Sequence, residues 1–417
     1  MKKALSNTFI LFLFLSSYSQ DLGNLGSSSG IFKPLKPAPD KNLSSRNPKL
    51  KPQKPTVQTK KSVTKKVVTN SKTIPQEIET PSDVILKDYE NLIVRANLAR
   101  DERNYKAAED LYYQATLLNP KDFRAFYGLG NVFADQQRWE EAEKLYKKAL
   151  EINPENPEAL IALSFVLTQP IIGVNLSERY LLAEKLALKA MQVSPSSAMA
   201  YNLLGLSLEL QGKFNQDVET YYRKAIELAP HFAITYAHLA RFLNRKGNTE
   251  EAKKLYAKAI QLAKDTPMMI LVAEVLQSDQ KFFESEQLLK QALLVDPRNP
   301  YALFLLGRAL IVKGEFKEAE DLLKNSMRLN PNNFVTHLEL ASLYMRQRNY
   351  ILAEKALEDA LNITHKNEKR RVALEFEVLA DRLKKEGNTQ EALRIYKKSL
   401  AILPKEKRLL VKISKIK

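Results

Sequence analysis

The chain has 417 residues, a formal net charge of +17 at pH 7 and no cysteine. Without thiols it has no structural disulfides, thiolate nucleophiles or cysteine-ligated metal centres. Residues 33–72 carry twelve Lys or Arg against one acid, and residues 405–417 carry six against one, whereas residues 73–404 hold 45 bases and 45 acids. A protein that binds nucleic-acid phosphates needs a basic folded surface, so this neutral body argues against nucleic-acid binding.

The first residues are typical of a secretory signal peptide. Two lysines precede an apolar run from Phe9 to Leu15, and small residues follow. We expect cleavage after Ser19, so that residues 1–19 form the signal peptide. The alternative is an uncleaved anchor, although the run is far shorter than the roughly 20 residues that span a bilayer. No second stretch is long enough to cross a membrane. We therefore expect an exported protein, periplasmic or envelope-associated in a Gram-negative bacterium.

Residues 20–81 have the composition of a disordered linker, being poor in aromatics and rich in Pro, Lys and Ser. Six prolines between Pro34 and Pro55 are interspersed with lysines, which favours an extended chain that repels itself. Two interpretations stay open. This basic leader is either a solvated spacer or an electrostatic tether to an anionic surface, such as lipid headgroups, an envelope polymer or an acidic protein.

Residues 123–154 predict two amphipathic helices with a turn between them and a proline stop after them. Small residues fall where the two helices must cross closely, and large residues fill the space between them. The segment resembles the tetratricopeptide repeat family, whose pattern of aromatic, Leu-Gly, aromatic, Ala, aromatic, Ala and Pro is matched by Phe126, Leu129, Gly130, Phe133, Ala142, Tyr146, Ala149 and Pro154. The resemblance implies a binding scaffold and names no ligand.

The same hairpin recurs along the chain with a period near 34 residues. Its end positions are Pro120, Pro154, Pro195, Pro230, Lys264, Pro297, Pro331, His365 and Pro404. We therefore predict about nine repeats within residues 82–404. The predicted fold is an all-α tetratricopeptide-repeat solenoid, a right-handed superhelix of helical hairpins.

Two irregularities and a terminal segment complete the repeat region. Residues 169–176 lengthen one turn with aliphatic side chains, which either contact a partner or fold back over their own hairpin. Residues 364–371 lengthen the joint before the last repeat with a basic cluster. Residues 405–417 are predicted to form a basic capping helix, or alternatively a membrane-surface helix, with one apolar face made by Leu409, Leu410, Ile413 and Ile416.

A search for catalytic chemistry finds no constellation. The four histidines are scattered without acids at ligand spacing, and the glycines fall at turns or helix crossings rather than in a phosphate-binding loop. Acidic pairs begin second helices, where the helix dipole favours them. We expect no catalytic residues, no metal and no cofactor, and hence no enzyme.

The family resemblance implies where a ligand would bind. First helices of such solenoids line a concave groove, and the corresponding positions are Asn97, Tyr127, Asn131, Asn202, His238, Arg241, Phe304, Arg308 and Asp381. One subclass of the family grips a peptide carboxylate with Lys and Asn, but Ile93 and Tyr127 stand at two of those positions here. Mixed aromatic, amide and arginine side chains suit an extended peptide or a partner helix.

The sequence thus predicts a non-enzymatic scaffold for protein–protein interactions, exported and acting in assembly of a cell-envelope complex. The main alternative is a protein that binds an anionic envelope polymer or lipid through its basic tails, with the repeats as spacers. A further alternative is an enzyme subunit that presents substrates without supplying catalytic residues.

Overall fold

The computed structural model describes residues 81–136, 138–169, 175–331, 333–364 and 369–416. The predicted signal peptide and nearly all of the predicted linker lie outside these residues. So do positions 170–174 and 365–368, which make up most of the first predicted irregularity and half of the second.

The described residues form nineteen α-helices. Their bounds are Pro81–Asp101 (α1), Tyr105–Leu118 (α2), Phe123–Asp135 (α3), Trp139–Ile152 (α4), Pro157–Thr168 (α5), Leu176–Val193 (α6), Ala198–Leu210 (α7), Gln216–Leu228 (α8), Ala233–Arg245 (α9), Thr249–Leu262 (α10), Thr266–Ser278 (α11), Phe282–Val295 (α12), Pro300–Lys313 (α13), Phe316–Leu329 (α14), Phe334–Arg346 (α15), Tyr350–Ile363 (α16), Lys369–Lys385 (α17), Thr389–Ile402 (α18) and Lys407–Ser414 (α19). Helices α1 to α18 pair in sequence as nine hairpins, and α19 packs on α18. The predicted all-α solenoid is confirmed.

Local chemistry sets the ends of these helices. The Asn156 side chain accepts a hydrogen bond from the Ala159 N–H at 2.7 Å, and Pro157 begins α5, where no N–H is required. Several first helices end at a glycine in the left-handed region, such as Gly314 with φ of 90°. Capping polar residues and left-handed turns therefore repeat with the hairpins.

The predicted close crossing of the two helices in a hairpin is confirmed at its glycines. A Cβ placed on Gly130 would lie 2.7 Å from the Tyr146 ring, and one on Gly205 would lie 2.9 Å from Tyr222. A larger side chain at either position would overpack the joint by about 1–3 kcal/mol. These glycines are therefore required by packing.

The first helices of almost all consecutive repeats contact one another, so they form one layer of the stack. In this layer every residue from Thr266 to Gln277 and from Tyr301 to Ile311 is buried. The turn after α1 also meets the end of α12, because Arg103 Nη2 lies 2.7 Å from Asp296 Oδ2. The stack therefore curves far enough for its first and sixth hairpins to touch, and its first-helix layer is tightly closed.

Helix α19 covers the end of the stack. Leu409 has no exposed surface and Ile413 is 9% exposed, whereas Leu410 is 48% exposed. The expectation that Leu410 shares the buried face was wrong, because it lies about 100° around the helix from Leu409. The buried pair is separated by four residues, which is one helical turn.

Candidate functional site

All nine residues predicted to line a groove lie on first helices, but the structure buries most of them. Asn97 is half-buried and Asp381 is exposed. The other seven are buried, namely Tyr127, Asn131, Asn202, His238, Arg241, Phe304 and Arg308. Their contacts show what each side chain does inside the folded chain.

Three of the nine bind a tyrosine of their own hairpin. The Tyr112 hydroxyl donates to Asn97 Oδ1 at 2.5 Å, and the Tyr146 hydroxyl donates to Asn131 Oδ1 at 2.7 Å. The Tyr396 hydroxyl donates to Asp381 in the same way. Each pair is separated by 15 residues. These polar groups tie the first helix to the second, so they serve the hairpin itself.

The structure brings three other predicted residues together between α7 and α9. His238 Nδ1 donates to Asn202 Oδ1 at 2.9 Å. Next to this pair, Arg241 donates from Nε and Nη2 to the two carboxylate oxygens of Glu209 at 3.0 and 2.9 Å. We call these four residues, with Arg245, the central cluster.

Glu209 is the centre of this cluster, and the sequence prediction missed it. Its side chain has no exposed surface, and it also accepts from the Tyr222 hydroxyl at 2.8 Å and from Arg245 Nη1 at 2.9 Å. The signal in the sequence is a lone acid in the apolar run Leu203–Leu210 of α7. A buried charge is retained only where partners compensate its lost hydration.

The electrostatics of the central cluster hold each group in one protonation state at neutral pH. Burial raises the pKa of Glu209, but the Arg241 and Arg245 cations outweigh burial and leave the pKa below its ordinary value of 4.5. Burial, reinforced by the Arg241 cation, lowers the pKa of His238 to about 3. Glu209 is therefore a carboxylate and His238 a neutral imidazole at pH 7.

Three more of the predicted residues pack in the core or form a hydrogen bond within the chain. Phe304 has no exposed surface and stacks on Tyr301 with ring centroids 6.0 Å apart. Tyr127 is 1% exposed and lies 5.8 Å from the Tyr146 ring. Arg308 Nε donates to Gln277 Oε1 at 2.7 Å. Two of these three side chains are core aromatics, and the third links consecutive first helices.

Asp381 is occupied by the C-terminal cap. Lys412 of α19 lies 2.6 Å from Asp381 Oδ2 and 2.7 Å from Glu377 Oε1. Arg408 lies 2.7 Å from Glu377 Oε2. Two of the basic residues in α19 are therefore paired with acids on α17.

A fully buried ion pair in the first two repeats was also missed. Arg100 donates from Nε to Asp135 Oδ2 at 2.5 Å and from Nη2 to Oδ1 at 3.0 Å, and neither side chain has exposed surface. Burial raises the pKa of Asp135 to about 6, so it is still a carboxylate beside Arg100 at neutral pH. Only the fold shows that residues 35 positions apart meet in this way.

Two further observations bear on the class of protein. Among the described residues, no group of three or more His, Cys, Asp or Glu side chains is placed to hold a metal ion. No helix in the described part of the chain is both long and apolar enough to cross a membrane.

Stacked hairpins with closely packed first helices define the class of helical-repeat proteins. Four family models, each described as tetratricopeptide repeat, match residues 93–157, 233–266, 278–326 and 333–405. Together they cover more than half of the 417 residues. The chain belongs to the tetratricopeptide repeat family, whose fold is typically a non-enzymatic protein-interaction scaffold. No catalytic family was found, and a search of curated proteins gave no match.

Comparison with solved structures gives matches at low identity. The MamA structure "41-end from Desulfovibrio magneticus RS-1" is 19% identical, with a TM-score of 0.36 over 42% of this chain and 94% of that one. PilF of Pseudomonas aeruginosa is 18% identical, with a TM-score of 0.38 over 51% and 94%. A human IFIT1 dimer with PPP-AAAA is 17% identical, with a TM-score of 0.47 over 78% and 80%.

Proposed function

We propose that this chain is a non-enzymatic scaffold that binds a peptide or helix of a protein partner and acts in the assembly of a cell-envelope complex. The observation that carries the proposal is the central cluster, which lies in the layer of first helices. Arg245 is 31% exposed while its carboxylate partner Glu209 has no exposed surface. A guanidinium fixed in this way can donate to a partner with little loss of side-chain entropy.

The proposed contact surface is a revision of the groove predicted from the sequence. Asn202, His238 and Arg241 remain in it with Arg245, since their polar ends are held on adjoining first helices. Tyr127 and Phe304 are left out because they are core side chains. The contact is shallow, because the first-helix layer is closely packed. A peptide or helix of the partner would therefore lie on this layer.

Export is part of the proposal. Residues 1–19 supply the signal, and the basic leader raises the local concentration of the scaffold near an anionic surface. The alternative is that the basic tails themselves bind an envelope polymer or lipid. Twelve bases in residues 33–72 favour that alternative. The pairing of Arg408 and Lys412 with acids of α17 weakens it for the C-terminal tail.

The test is affinity purification with mass spectrometry from cells that express the full chain, a version with the signal fused directly to Ser82, and the Arg245→Glu variant. The proposal predicts the same partners with and without the leader, and loss of partners with Arg245→Glu. A matched control is Lys253→Glu, which changes an exposed cation of α10. Loss of all partners on removal of the leader, with Arg245→Glu unchanged, would establish the alternative instead.

A further inference from the structure

A second cluster of cations lies in a cleft formed mainly by the eighth and ninth hairpins. The cleft has a volume of about 870 Å³. Its cations come from the end of α15 (Arg346), from the turn after it (Arg348) and from the end of α17 (Arg382 and Lys385). Glu386 is the one acid in its lining. We call these five residues, with Tyr350, the basic cleft.

The carboxylate of Glu386 already has partners, and the cations of the cleft outnumber it. Glu386 accepts from the Tyr350 hydroxyl at 2.5 Å and lies 3.6 Å from Arg348 Nε. Within the described residues, Arg346, Arg382 and Lys385 are exposed and form no ion pair. Burial raises the pKa of Glu375, and the Arg382 cation opposes that rise. Arg382 also donates from Nη1 to the Met345 carbonyl oxygen at 3.5 Å. The lining of the cleft therefore has a net positive charge.

Cations at the ends of helices have an ordinary explanation, because they complement the helix dipole. That explanation suffices for Arg346 and Lys385 but not for Arg348, which lies outside the helix with φ of 60°. Four other turns in the described chain place a glycine in the left-handed region. A side chain at this position costs about 1 kcal/mol relative to glycine. Arg103 and Gln280 adopt the same conformation in other turns, so the conformation by itself does not indicate a ligand. The helix dipole does not account for Arg348, and its cation adds to the positive charge of the cleft.

The cleft also has apolar surface. Phe316 and Met345 contribute to its lining beside the Tyr350 ring. An inorganic anion would leave this surface uncovered, whereas a peptide can place an aromatic or aliphatic side chain on it and carboxylates on the surrounding cations.

We propose that the basic cleft binds an acidic peptide segment of the protein partner, with Asp or Glu residues flanking an apolar side chain. This inference rests on the proposed scaffold function and specifies the chemistry of the partner. It adds a second contact with the partner, at the edge formed by the turns of the last two repeats.

The test uses a fluorescent synthetic peptide in which glutamates flank a central Phe-Leu pair. Fluorescence anisotropy measures its binding to the full chain at low and at physiological salt. The triple variant Arg346→Ala, Arg382→Ala, Lys385→Ala should bind it at least about tenfold more weakly. The control variant Lys253→Ala, Lys254→Ala, Arg298→Ala removes three exposed cations elsewhere and should bind within about twofold of the parent chain. Equal weakening by both variants, or no binding to the parent chain at low salt, would overturn the proposal.

Two further measurements identify the class of ligand and control for misfolding. Vesicles containing phosphatidylglycerol, and a peptide with Gln in place of Glu, should bind far less than the acidic peptide. If vesicles bind through the cleft and the peptide does not, the ligand is an anionic lipid and the proposal is wrong. Arg348→Gly should weaken peptide binding while raising the melting temperature, which separates loss of a ligand contact from loss of the fold.

This test and the purification experiment can fail separately. If specific partners are recovered equally by the parent chain and the triple variant, the cleft is not the partner site while the scaffold function stands. If no specific partner is recovered, the scaffold function fails whatever the synthetic peptide does.

Discussion

The central cluster and the basic cleft are both rich in arginine, yet they use it differently. Between α7 and α9, Arg241 and Arg245 converge on Glu209, and the carboxylate has all its charge compensated inside the protein. At the ends of α15 and α17, Arg346 and Arg382 are exposed and form no ion pair within the described residues. The difference teaches that charge alone does not mark a binding surface. What marks it is a cation whose side chain reaches solvent, either held by a buried acid, as Arg245 is, or without an ion pair in the described residues, as Arg346 is.

The two sites also differ in whether a substitution should reduce stability or ligand binding. Removing a partner from a buried pair leaves an uncompensated charge, which destabilises strongly. Removing an exposed cation changes stability little but removes an attraction for a ligand.

Arg241→Met should cause the largest loss of stability. It removes the bidentate partner of buried Glu209 and should lower the free energy of unfolding by about 3 kcal/mol, measured by urea denaturation. The control Lys253→Met should stay within about 0.5 kcal/mol of the parent chain. An equally small effect of Arg241→Met would show that the central cluster does not hold the fold.

Glu209→Gln should destabilise by about 2 kcal/mol at neutral pH, because it leaves two arginines beside a neutral amide. The pKa of Glu209 is lowered in the folded chain, so its contribution is present above the ordinary pKa of 4.5 and is lost as pH falls through the lowered value. Denaturation between about pH 6 and about pH 3 should show the difference between parent and variant shrinking at the acid end. A difference that grows on acidification would contradict the assignment.

Arg348→Gly should stabilise the chain by about 1 kcal/mol, because glycine adopts the left-handed conformation without steric cost. Gln280→Gly is the matched control, since Gln280 has φ of 60° in the corresponding turn of another repeat. Calorimetry should give similar rises in melting temperature for both variants. Only Arg348→Gly should weaken binding of the acidic peptide.

The triple alanine variant of the basic cleft should change the free energy of unfolding by less than about 0.5 kcal/mol per site. Its melting temperature should therefore lie close to that of the triple variant at Lys253, Lys254 and Arg298. A large loss of stability would show that these cations stabilise the packing of α15 against α17. Their role would then be structural, as it is for the buried pairs of the central cluster.

The hairpins could be read from the sequence because steric rules repeat locally. A glycine opposite a tyrosine recurs at Gly130 and Gly205, and a proline follows seven of the nine second helices at the period of the repeat. The roles of Asn97 and Asn131 could also have been found, because a tyrosine follows each at 15 residues. That regularity identifies a bond within a hairpin, whereas their position on first helices alone suggested a ligand contact.

The central cluster and the basic cleft were harder to predict because they combine different repeats. Glu209 meets Arg241 across 32 residues, and the fold alone fixes which positions of α7 and α9 face each other. Arg346 and Arg382 belong to consecutive repeats and lie beside ordinary helix ends. The closeness of the first-helix packing also depends on side-chain volumes along the whole stack, so the burial of Tyr127 and Phe304 did not follow from the period.

Site-specific photocrosslinking in cells that express the full chain shows directly whether the basic cleft and the central cluster contact a partner protein. A benzophenone amino acid would replace Lys385 in the cleft, Arg245 in the central cluster or Lys253 on the outer surface of α10. We expect discrete crosslinks from position 385 to an acidic segment of a partner protein, and a crosslink from position 245 to a partner. We expect no crosslink from position 253. The same products from all three positions, or none from position 385, would contradict this expectation.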